Sequence, residues 1–127
     1  MRIFISFLLI FISIKAFAHK PKLINYSPSL KNPHEVIYPE ISKAYYGKLS
    51  GESHYYKIVS NKDFLFYAGI LSPKVNENYK WLSLDILDEN NNILYQANGS
   101  KFSWEPWYEP YARDWYWKGP EIGGEIN

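Results

Sequence analysis

The feature that most constrains this chain is its rhythm. Short runs of aromatic and branched apolar residues recur from Ile41 onward, each closed by a cluster of Gly, Asn, Asp or Ser. No stretch repeats its apolar positions with the 3.6-residue period of a helix. Spacing of this kind predicts an all-β architecture, a small sandwich or barrel. The predicted strands cover 44–49, 54–59, 64–71, 82–86, 93–97 and 101–104, five or six in all. Residues 64–71 are apolar at alternate positions of both parities, which predicts a central strand buried on two sides. In 82–86, Leu82, Leu84 and Ile86 alternate with Ser83 and Asp85, the pattern of a half-buried strand. The turn Asp88-Glu89-Asn90-Asn91-Asn92 is rich in residues that tolerate positive φ and predicts a hairpin to 93–97.

Ahead of this rhythm lies a different texture. Arg2, an apolar run over 3–14 and the small residues of Ala16-Phe17-Ala18 make a secretory leader, with cleavage expected after Ala18. The run is too short to span a bilayer, so no membrane span is expected once the leader is gone. The location expected is the bacterial periplasm or the extracellular space. Residues 19–39 carry Pro21, Pro28, Pro33 and Pro39, and are expected to form an extended N-terminal arm. The β domain is expected over 40–127.

Composition removes several classes of function. There is no Cys, so there is no disulfide framework, thiolate metal site or Cys nucleophile. Lys and Arg number 14 against 13 Asp and Glu. This near-neutral balance supplies no basic face for nucleic acid.

Aromatic residues make up 19% of the chain. They concentrate in an expected loop, 104–119, where Trp104, Trp107, Tyr108, Tyr111, Trp115, Tyr116 and Trp117 stand with Glu105, Glu109 and Asp114. Flat rings stack on sugar faces while carboxylates accept sugar hydroxyls. A glycan or a peptide is the ligand class this composition suits, with Trp104, Trp107, Tyr108, Glu109, Tyr111, Trp115 and Trp117 as candidate ligand-binding residues. The plainer reading is that the rings serve as core, since each buries a large area. Arg113 is the one basic residue between Trp104 and Trp117, too few for a phosphate backbone.

Other constellations are thinner. No resident cofactor is expected, with copper and calcium as alternatives. His19 would become the mature N-terminus, where its α-amine and imidazole chelate Cu(II) and His34 or His54 completes the ligand set. Asp88, Asn90 and Asn92 begin a calcium-loop pattern, but Ile93 stands where Gly is required and Gly99 where Glu is required. Asp85, Asp88 and Glu89 are then the candidates for a weaker calcium site. Glu105, Glu109, Asp114 and Glu121 are the carboxylates a hydrolase would draw on. No Ser or His stands in a nucleophile motif, and the chain is expected not to be an enzyme.

The segments Pro39-Glu40-Ile41-Ser42-Lys43-Ala44-Tyr45-Tyr46-Gly47-Lys48-Leu49 and Tyr55-Tyr56-Lys57-Ile58, with Trp107-Tyr108-Glu109-Pro110-Tyr111 and Trp115-Tyr116-Trp117, resemble a family of exported bacterial proteins. Their fold is similar to the bacterial pre-peptidase C-terminal domain, a small jelly-roll-like β-sandwich. The resemblance implies that fold and an exported location, and no catalytic residue. It also implies a closing pair of strands after the aromatic stretch, for which 119–127 has no counterpart. The expectation is a sandwich incomplete at its C-terminal end, from a truncated frame or completed by a strand-donating protein.

Overall fold

The computed structural model describes residues 20–123. The leader, its cleavage site at Ala18, and His19 lie outside the described residues. In chain order the strands are β1 (Lys20–Leu23), β2 (His34–Val36), β3 (Lys43–Tyr46), β4 (Tyr56–Ile58), β5 (Tyr67–Pro73), β6 (Leu84–Leu87), β7 (Ile93–Ala97), β8 (Glu105–Glu109) and β9 (Asp114–Gly123). Single 3-10 turns occupy Glu77–Tyr79 and Gly99–Lys101. The protein is a small all-β fold, as the spacing of its apolar runs predicts. Among the described residues no helix is long and apolar enough to cross a membrane. The strands number nine among the described residues, where five or six were expected, and they fall into two compact units, the chain passing from one to the other between Val59 and Ser60.

In the first unit, β1 pairs with β3 and β2 pairs with β4, both in parallel. The stretch expected as an arm is therefore paired. Parallel strands need a long connection and carry no hairpin turn between them, so nothing local in 19–39 announces them. Pro21 is tolerated in β1 because a two-stranded ribbon leaves one side of each strand unpaired. Ile24 is buried and its N–H donates to the Tyr46 carbonyl (2.7 Å), which extends the β1–β3 ladder. Pro28 is fully buried and its carbonyl accepts from the Tyr55 N–H (2.9 Å).

In the second unit, β5, β9 and β8 form an antiparallel sheet in that order, and β6 and β7 form a hairpin. The β6–β7 turn is the one the sequence predicts. Asn91 has φ 63°, and the Asp88 carboxylate accepts from the N–H groups of Asn90 (2.8 Å) and Asn92 (2.9 Å) and from the Asn92 side chain (3.0 Å).

Two expectations are corrected here. β5 is an edge strand, not a central one, and its residues alternate in exposure along Tyr67–Pro73. Its apolar character misled because one face of this sheet is open. Residues 101–104 are not a strand: Asn98 caps the 3-10 turn there by accepting from the Ser100 N–H (2.9 Å).

The central strand β9 contains Pro120, which has no N–H to give to a ladder. The register accommodates it: Gly69 pairs with Glu121 but Leu71 pairs with Lys118, so β9 carries an extra residue at Gly119-Pro120. A bulge is the position a central strand offers a proline. Trp104 closes over it. Its indole packs on Gly119 while Nε1–H donates to the Gly99 carbonyl (2.8 Å).

Candidate functional site

The aromatic stretch expected as a loop is a hairpin. β8 runs Glu105-Pro106-Trp107-Tyr108-Glu109, a segment whose rings favour extended backbone. Residues 110–113 turn the chain, with Arg113 at φ 53°. Glu109 fastens this turn at both ends of its residue. Its carbonyl accepts from the Arg113 N–H (2.8 Å), and its carboxylate accepts from the Ala112 N–H. The Asp114 carboxylate accepts from the Trp115 N–H (2.7 Å).

Residues directly opposite each other in an antiparallel ladder share a face, and the face alternates along each strand. The β8–β9 register therefore sorts the side chains. On one face lie three successive rungs: Glu105 opposite Lys118, Trp107 opposite Tyr116, and Glu109 opposite Asp114. The aromatic rung sits between two charged ones. Leu71 and Pro73 of β5 continue this face, being partnered with Lys118 and Tyr116. Lys118 pairs with Glu121 across the bulge (2.8 Å). The Tyr116 hydroxyl is held above its usual pKa, first by burial and then by the negative charges of Asp114 and Glu109.

The opposite face carries Pro106 opposite Trp117 and Tyr108 opposite Trp115. Trp117 is buried (8% exposed). Its Nε1–H donates to the Asn76 carbonyl (3.3 Å), and the ammonium groups of Lys80 and Lys74 lie 4.4 and 5.0 Å from its ring centre. Lys80 is in turn paired with Glu77. Tyr108 and Trp115 meet edge to face, centroids 5.6 Å apart, and both are exposed.

The seven candidate ligand residues are thus divided. Trp107 and Glu109 share one face; Tyr108, Trp115 and Trp117 share the other. Trp104 is off the sheet edge on Gly119, and Tyr111 is in the connecting turn, exposed. Trp104 and Trp117 are packing residues. Tyr116 joins the site as the cross-strand partner of Trp107. Its signal in the sequence is the constant sum of paired positions that any regular hairpin obeys, once the turn at 110–113 is located.

The histidine and calcium candidates belong to other elements of the chain. His34 lies on β2, where Nδ1 is 2.5 Å from the Tyr26 hydroxyl. Its ring is 5.2 Å from Tyr45 and 5.9 Å from Tyr56, both at steep angles. The Tyr45 and Tyr56 hydroxyls are held above their usual pKa, in each case first by burial. Nε2 of His54 is buried with no hydrogen-bond partner in its unit, as is the Tyr45 hydroxyl. Among the described residues no three His, Asp or Glu side chains converge as a metal-ligand group. Of the calcium candidates, Asp88 spends its carboxylate oxygens on its own turn, Asp85 lies opposite Gln96 on the β6–β7 ladder, and Glu89 is exposed in the turn. Of the hydrolase carboxylates, Glu109 and Asp114 hold backbone N–H groups and Glu121 holds Lys118 and the Tyr67 hydroxyl. Comparison with protein families, characterised proteins and solved structures finds no match for the chain.

Proposed function

We propose that this protein is an exported, non-catalytic β-sheet module that binds a carbohydrate on the face of the β8–β9 hairpin bearing Trp107 and Tyr116. One observation carries the reading. The register sets an aromatic rung between Glu105–Lys118 on one side and Glu109–Asp114 on the other. A sugar ring has an apolar C–H face and a rim of hydroxyls. An indole takes the first, and carboxylates and an ammonium take the second. Trp107 is 38% exposed, open enough to be stacked upon and fixed by its position in a strand. Glu109 and Asp114 each engage one N–H and retain further acceptor positions. Their engagement with the turn gives them a structural duty and a fixed orientation, which suits recognition better than proton transfer.

The test is a tryptophan-fluorescence and calorimetric titration against a panel of soluble glycans. Binding is expected, and Trp107→Ala is expected to weaken it at least tenfold, about 1.4 kcal/mol. Trp115→Ala, on the other face, is expected to leave affinity within a factor of about two, roughly 0.4 kcal/mol. Silence across the panel refutes carbohydrate binding. A loss that follows Trp115 and spares Trp107 refutes the assignment of the face.

A further inference from the structure

The three-stranded sheet of the second unit has two edges of opposite character. Along β8 stand Glu105, Pro106 and Glu109, with Pro110 directly after it. Prolines and charges are the devices that keep an edge from pairing. β5 has none of them within the strand until its last residue. From Phe64 to Pro73 there is no charged residue, and Tyr67, Leu71 and, just ahead of the strand, Leu65 are exposed at 61%, 42% and 83%. One side of β5 pairs with β9; within its unit the other has no strand partner. An uncharged edge with an unpaired row of N–H and C=O groups and exposed apolar side chains is a template for another strand.

We infer that β5 pairs antiparallel with β5 of a second copy of this chain, joining two three-stranded sheets into one of six strands. Two observations favour a second copy as the occupant. Antiparallel self-pairing sets the middle of the run opposite itself and each end opposite the other end, and since 64–73 carries no charge, no like charges oppose each other anywhere along it. The charges that bound the run are Asp63 and Lys74. Antiparallel alignment brings the Asp63 end of one copy to the Lys74 end of the other, twice over. The contact is isologous and consumes both β5 edges. The guarded β8 edges then lie at the outside, so assembly stops at two. The two-fold axis runs normal to the sheet, which puts both Trp107 faces on the same side. The pairing does not depend on what those faces bind.

The experiment is sedimentation velocity on residues 19–127 over a wide concentration range, beside hydrogen exchange at high and low concentration. A dimer is expected, with amides of Ala68–Ser72 losing protection on dilution while those of β8 do not. Tyr67→Lys with Leu71→Lys is expected to give a monomer with an unchanged far-ultraviolet dichroism spectrum. A parent chain that is monomeric throughout overturns the inference. So do an open-ended assembly, β5 protection that ignores dilution, and a dimer that survives the folded double variant. Should the double variant not fold, the dilution dependence of the parent's β5 amides decides alone.

Discussion

A methyl group added at Gly119 tests the packing beneath the hairpin. The new carbon would lie 2.2, 2.4 and 2.7 Å from Cζ3, Cη2 and Cε3 of Trp104. Carbon atoms in contact rest at about 3.5–4.0 Å, so the indole must withdraw by more than an ångström. In doing so it breaks the bond from Nε1–H to the Gly99 carbonyl, now 2.8 Å. Overpacking of this kind costs about 1–3 kcal/mol, and the lost hydrogen bond about 1 kcal/mol. Gly119→Ala is therefore expected to destabilise by about 2–4 kcal/mol, a large share of the ~5–15 kcal/mol of an ordinary domain. Urea unfolding followed by fluorescence reads this from the midpoint at unchanged slope. A double-mutant cycle isolates the cause. With Trp104→Leu already in place, the added methyl is expected to cost under about 1 kcal/mol, because the clashing ring edge is gone. Gly119→Ala within about 0.5 kcal/mol of the parent would refute the contact, as would the same penalty in both backgrounds.

The turn and the tyrosine cluster give two further expectations. Asp88 is held below the usual aspartate pKa by hydrogen bonds from the Asn92 side chain and backbone and from the Asn90 backbone. Its folded pKa lies below its unfolded one, so its contribution is complete above about pH 3.9 and disappears as pH falls through the lower folded value. The difference in Tm between parent and Asp88→Asn is expected to narrow over that acid window; a difference that does not change with pH counts against the assignment. In the first unit, Tyr26→Phe removes the partner of His34 Nδ1. A loss of about 0.5–1.5 kcal/mol is expected by chemical unfolding, with a shift of the His34 ring resonances; unmoved resonances would show that the bond is absent in solution.

What the sequence makes legible is local. The β6–β7 hairpin is readable because Asp88 and Asn91 do their work within five residues, and Ile93–Ala97 is the predicted strand. β1 and β2 are not readable, because their partners lie beyond intervening strands and Pro21 argues against pairing. The β8–β9 hairpin is hidden for a related reason. Pro106 and Pro120 discourage a strand reading, although one sits on an edge strand and the other in a bulge. The candidate site is legible in its residue types and not in its geometry. That Trp107 and Trp115 face opposite ways follows only from the register. β5 shows the converse failure: uninterrupted apolar character reads as burial on both sides, yet the strand lies at the rim.

The bulge at Gly119-Pro120 has a consequence for how the hairpin can change. A ladder of uniform residues can slide along its neighbour by two positions and lose little. β9 cannot, because any slip carries the imino acid out of the one place that tolerates it and pulls the bare glycine from beneath the indole. The strand is thereby indexed at its midpoint. The facing of the rings on β9 is therefore fixed at the bulge by its pairing with β5, whatever the turn at 110–113 does to β8.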